Sequence, residues 1–105
     1  MRAGRLRRRV KIEEKSVVQD SYGAETITWS EVGTFWTAVE PLRGDEFLEQ
    51  RRQGAEVTTR IVMRYLDEIA PEMRATWDGH TYDIVAVIDV DGRHRELQLM
   101  VRETI

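Results

Sequence analysis

The sequence predicts a mainly β protein: a small antiparallel β-barrel or sandwich of six to seven strands, with one short helix in an inserted loop. Three observations predict it. Apolar and polar residues alternate with a period of two along several runs. Two Asp-Gly pairs, Asp78-Gly79 and Asp91-Gly92, fall between strand-like runs, which is the strongest short-range hairpin signal. Only one stretch, "RGDEFLEQRRQG", has the charge layout of a helix. At 105 residues the chain fits a single domain, 1–105, able to bury a modest core.

The first strand is read from Leu6, Arg8, Val10 and Ile12, which point one way, against Arg7, Arg9 and Lys11, which point the other. Arg8 is the misfit on the apolar side, placed where the strand enters the barrel or packs its stem there. Asp20, Ser21 and Gly23 form a turn. "TITWSEVGTFWTAVEPL" then reads as strand, a break near Gly33, and strand again, on its Thr, Ile, Trp, Val and Phe content. Trp29 and Trp36 are seven apart, so a bulge at Gly33 decides whether they share a face.

The pattern then changes. Asp45 can cap a helix, Glu46 and Glu49 sit early, Arg51 and Arg52 sit late, and Gly54 stops it. Phe47 and Leu48 are its only apolar residues, so it has little to bury and reads as a mobile excursion over residues 42–54. "EVTTRIVMRYL" returns to strand, with Val57, Thr59, Ile61, Met63 and Tyr65 on one side and Thr58, Arg60, Val62 and Arg64 on the other. Pro71 marks a loop. The last run sets Leu97, Leu99 and Val101 against Gln98, Met100 and Arg102.

Charge is unevenly placed. Residues 1–15 hold seven basic side chains against Glu13 and Glu14, a net of +5; the whole chain is −3, so the other ninety residues carry −8. A nucleic-acid arm, a targeting peptide and a partner-docking strand would each place charge this way. No hydrophobic stretch follows the basic start, which argues against a signal peptide. No apolar run approaches the ~18 residues of a membrane-spanning helix, and no membrane partner is expected. Clustered arginine suits phosphate. Residues 1–15 contain no aromatic to stack on bases, though, so the segment reads as a docking element or a wall beside duplex DNA.

Chemistry-bearing patterns are sparse. The chain has no cysteine, which excludes a disulfide framework, a thiolate nucleophile and Cys-ligated zinc. His80 and His94 would need their two loops to converge with a carboxylate such as Asp78 or Asp91 to hold a metal, and turn-flanking surface histidines are the plainer reading. "DVDG" at 89–92 lacks the acids of a calcium loop, with Val87 and Gln98 at the positions that need them. Adjacent acids such as Asp67-Glu68 point to opposite faces of a strand. No G-x-S-x-G, P-loop or H-E-x-x-H occurs. No enzymatic activity and no cofactor are expected. Trp29, Trp36 and Trp77, set among Ile, Val and Thr, read as core or subunit-interface residues.

Taken in series, these residues resemble a known family. "G-x-L-R-x-R-V" at Gly4–Val10, Tyr22-Gly23 followed by Thr28-Trp29, "W-x-x-V-x-P-L-x-G-x-E" at Trp36–Glu46, Trp77-Asp78-Gly79 and "D-x-D-G-R" at Asp89–Arg93 follow one another as in head–tail joining proteins of tailed bacteriophages, also called head-closure or stopper proteins. The resemblance implies a small β-barrel in a homo-oligomeric ring, six- or twelve-fold. That ring would lie between a portal or adaptor ring on the head side and a tail-completion or tail-terminator protein on the other. It would seal packaged double-stranded DNA in the head and offer the tail a docking face, at the head–tail interface of a virion assembled in the host cytoplasm. Gene-transfer particles and prophages use the same parts. The resemblance also implies a channel gate in the segment after "VEPL": here Arg43, Asp45, Glu46, Glu49, Arg51 and Arg52. Ring or partner docking falls to the basic strand, Arg5, Arg7, Arg9 and Lys11. The competing reading is a stand-alone oligonucleotide-binding β-barrel, and its acidic sequence pI of 5.4 argues against that.

Overall fold

The computed structural model describes residues 6–45, 48–49 and 57–104. Arg5, Glu46, Arg51 and Arg52 lie outside them. Among the described residues are six strands: β1 (Arg8–Gln19), β2 (Glu25–Pro41), β3 (Thr59–Arg64), β4 (Arg74–Trp77), β5 (His80–Asp89) and β6 (Glu96–Thr104). They form one closed barrel in the order β1-β2-β3-β6-β5-β4. Every neighbouring pair is antiparallel, and β1 closes on β4 through three residue pairs, Lys11 with Thr76 to Glu13 with Arg74. Helical turns are described at Asp45, Leu48 and Glu49, inside the segment where the helix is expected, and Gly44 before them has a positive φ of 56°.

The alternation read from the sequence places the core. Val10 and Ile12 of β1, Ile61 and Met63 of β3, Ile84 of β5, and Leu97, Leu99 and Val101 of β6 meet inside the barrel and are buried. Burying each such side chain is worth about 1.5–3 kcal/mol. Phe35, Val39, Trp77 and Val87 pack against this cluster from partly buried positions. Val57 departs from expectation: it sits in a second cluster, with Leu42 and Met100, on the outer side of the barrel wall.

Antiparallel order fixes what leaves each end. The β1–β2, β3–β4 and β5–β6 connections share one end; the β2–β3 insertion and the β4–β5 turn share the other. At the first end β1 and β2 run on beyond the barrel. Residues 14–19 and 25–30 pair only with each other, from Glu14 with Ser30 to Gln19 with Glu25, making a two-stranded ribbon. Its turn is closed by Asp20, whose Oδ1 accepts from the backbone N–H of Tyr22 at 2.8 Å and of Ala24 at 2.9 Å. Asp20→Ala is expected to lower stability by about 0.5–2 kcal/mol and fray the ribbon tip, checked by urea unfolding and hydrogen exchange at residues 21–24.

Two bulges bend the wall. Ile12 pairs with Gly33 but Glu13 with Glu31, so Val32 is an extra residue in β2. The slip brings Trp29 and Trp36 to the same outer face, since their partners Lys15 and Arg9 alternate regularly on β1. Gly33 faces inward beneath the Phe35 ring, where a Cβ would come 2.7 Å from Phe35 Cζ. The second bulge leaves Val85 unpaired between Ile84 and Ala86.

One Asp-Gly pair behaves as read. Asp78 (φ 51°) and Gly79 (φ 77°) span the two-residue turn between Trp77 and His80. Both central residues have positive φ, as a type I′ turn requires. Gly79→Val is expected to cost about 1–2 kcal/mol by urea unfolding, because a β-branched side chain resists that backbone. The second pair does not make a tight hairpin. Val90–Gly92 form a 3-10 turn, and β6 resumes only at Glu96.

Candidate functional site

The insertion leaves the barrel through a clamped neck. The Leu42 N–H donates to the Thr58 carbonyl at 3.0 Å, and the Thr58 N–H donates to the Val101 carbonyl at 3.0 Å. Leu42, Val57 and Met100 are buried together, with Ala86 packed beside them. Beyond the neck Arg43, Asp45 and Glu49 are exposed. Sequence reasoning misses this patch. The available signal is Met100, an apolar residue on the polar side of an otherwise alternating strand.

Arg9 and Lys11 are exposed on the outer face of β1, as the alternation requires, and Arg7, just before the strand, is exposed as well. The barrel supplies aromatics that the segment itself lacks. Arg9 lies 5.1 Å from the ring centroid of Trp36 across the β1–β2 pair, and Arg8 lies 5.7 Å from that of Trp77. Neighbouring strands thus bring aromatic rings alongside the basic segment. Trp29 has the closest cation, Arg74 at 4.2 Å, which also donates to Glu13 at 2.9 Å. Of the three tryptophans, Trp77 packs against the core, Trp29 lies on the ribbon, and Trp36 is 54% exposed. Such Arg–aromatic contacts are worth about 0.5–1 kcal/mol at exposed sites.

The outer face near the ribbon base carries charges of alternating sign. Glu13 pairs with Arg74, Arg74 stands opposite Asp83, and Asp83 accepts from Arg102 at 3.1 Å, so four strands are crossed. Exposed pairs contribute at most about 1 kcal/mol each, so this row orients strands more than it stabilises them.

The histidines do not meet. His80 begins β5 beside the tight turn, where its Nδ1 contacts Glu103. His94 lies beyond the other end of β5. Its N–H donates to Asp89 Oδ1 at 3.0 Å, its Nε2 lies 3.2 Å from Asp89 Oδ2, and its ring stacks on Tyr65 at 4.6 Å. Among the described residues no three His, Asp or Glu side chains converge as a metal site would need.

The Tyr65 hydroxyl donates to Asp67 Oδ1 at 2.8 Å, and that bond above all raises its pKa from the ordinary 10.0. Burial raises Tyr82, with Glu103 and Asp78 adding to it. A raised phenol pKa means that the folded state holds its proton more tightly. The stability this represents is fully present below about pH 10 and is lost as pH rises through the folded-state value. Tyr82→Phe is expected to flatten the fall in urea midpoint above pH 10.

Where β2 and β3 part beyond the Thr37–Met63 pair, a largely apolar cavity of about 710 Å³ opens. Phe35, Trp36, Met63, Tyr65 and Leu66 line it, together with the exposed Arg7 and Arg64.

The described residues thus form a six-stranded closed barrel with a ribbon at one end and the neck of an insertion at the other. Comparison with known proteins identifies its kind. The chain belongs to the phage head completion protein family, whose model matches residues 1–104. It is similar to protein SF1141 from Shigella flexneri 2a, whose solution structure aligns with TM-score 0.76 and 28% identity over 98% of this chain and 96% of that one. It is also similar to a chain in the virion of a native gene transfer agent particle, with TM-score 0.64 and 26% identity over 96% of this chain and 97% of that one. No curated protein matches. The family is one of structural virion proteins, and membership places this chain at the head–tail interface, in association with other head and tail proteins.

Proposed function

We propose that the protein forms a ring of the head–tail connector, below a portal or adaptor ring, seals the DNA channel after packaging and gives the tail its docking face. The 1–105 barrel is the ring's body, and the segment at about 42–54 is its gate. One observation carries this reading: the insertion is fastened at its neck, through Leu42, Val57 and Met100, and the residues described beyond the neck, Arg43 to Asp45, Leu48 and Glu49, are exposed. Such a segment can move without disturbing the barrel, because local stability follows buried apolar contact. Arg43, Asp45, Glu46, Glu49, Arg51 and Arg52 would then face DNA or one another across the channel. Arg5, Arg7, Arg9 and Lys11 would meet an acidic neighbour or the DNA itself.

The test is electron microscopy of particles made with the gene deleted. Separate tails, beside heads that packaged DNA and lost it, are expected. Normal tailed particles would overturn the reading. Assembly should also be salt-sensitive and be abolished by Arg7→Glu or Arg9→Glu; full incorporation of both variants into tailed particles would remove the docking role from this strand.

A further inference from the structure

We propose that the β1–β2 ribbon is the contact between successive copies of this chain. Its tip would enter the neighbour's cavity between β2 and β3, lined by Phe35, Trp36, Met63, Tyr65 and Leu66. The inference rests on the ring reading above and names the surfaces that build the ring.

Three observations carry it. The ribbon is apolar where nothing covers it: Val17 is 52% exposed, Val18 56%, Ile27 54% and Tyr22, at the tip, 95%. A two-stranded ribbon is marginal alone in water, and both its edges offer unpaired backbone groups. Second, charges match. Residues 14–30, the ribbon and its turn, hold Glu14, Asp20 and Glu25 against Lys15, a net of −2. The cavity is lined by Arg7 and Arg64, with Arg9 over its Trp36, and all three are exposed. Third, the two surfaces differ. A ring needs contacts in which one patch meets a different patch on the next copy, and an acidic ribbon with a cationic cavity supplies such a pair. The uneven charge of the chain then has a local use: the basic first strand of one copy meets the acidic ribbon of another.

The test uses assembled particles. The chain contains no cysteine, so introduced thiols report alone. Tyr22→Cys together with Arg64→Cys, treated with a short bis-maleimide, is expected to give a ladder of covalent multimers on a denaturing gel. The top rung counts the ring. Either single variant should give no ladder. Tailed particles that contain the double variant and release only monomer would overturn the ribbon contact while leaving the ring itself standing. Normal tailed particles from the gene deletion would remove the ring reading instead. Should the double variant fail to enter particles, a charge swap decides. Glu25→Arg and Arg64→Glu should each lower the yield of tailed particles about tenfold, and the pair should restore it. Absence of rescue would count against the contact.

Discussion

Replacing residues 44–55 with a short Gly-Ser link is expected to leave the barrel folded and to empty the heads of DNA. The first half of this result follows from the neck. Leu42 and Thr58 are hydrogen-bonded across it, and Leu42, Val57 and Met100 remain buried whatever joins them. A flexible link adds only a small closure entropy, which varies slowly with loop length. The thermal midpoint should therefore move by no more than a few degrees. The second half follows from the proposed gate. Particles carrying the shortened chain should hold the ring but lose DNA, read by density in electron micrographs and by nuclease-resistant DNA per head. Full heads would dismiss the insertion as the seal, and a collapsed midpoint would show that it belongs to the core.

Leu99→Ala should have the largest effect on stability. Leu99 is fully buried at the middle of β6, opposite Ile61 of β3 and Val87 of β5, so it is flanked by an inward residue on each neighbouring strand. Truncation removes its transfer free energy and leaves a cavity that two paired strands prevent from collapsing. The expected loss is about 2–5 kcal/mol, a large share of the ~5–15 kcal/mol that holds a domain together. Urea unfolding with an unchanged slope and a lower midpoint would match it. A loss below 1 kcal/mol would mean that the barrel interior is loosely packed there.

What the sequence disclosed depended on how local the cause was. Strand β1 was legible because Val10 and Ile12 alternate with Arg9 and Lys11, and that pattern is set within the strand. The Asp78-Gly79 turn was legible for the same reason: two residues and their φ angles decide it. Asp91-Gly92 misled because "RHRE" after it is polar. Strand β6 starts only where Leu97 can reach the core, so the connection lengthened to residues 90–95. The Val32 and Val85 bulges were hidden, since a bulge is a relation between two strands. Lateral pairing also hid the candidate surfaces. Arg9 meets Trp36 and Arg74 meets Trp29 only once the sheet has formed. Leu42, Val57 and Met100, which fasten the insertion, lie too far apart in the chain for any window to join them.

Strand β2 has one more consequence. Its 17 residues run unbroken from the ribbon to the neck of the insertion, so both appendages hang from the same stretch of chain. Side chains along a strand alternate, and a residue gained or lost inside it turns every later one to the opposite face. Trp36 would then turn inward and Phe35 outward, and the insertion would start from the wrong side of the wall. Val32 is where β2 already absorbs one extra residue, opposite the Ile12–Glu13 step. Drift in the length of the ribbon is thus tolerated at its tip and at this bulge, and between Gly33 and Pro41 the spacing is held by the barrel.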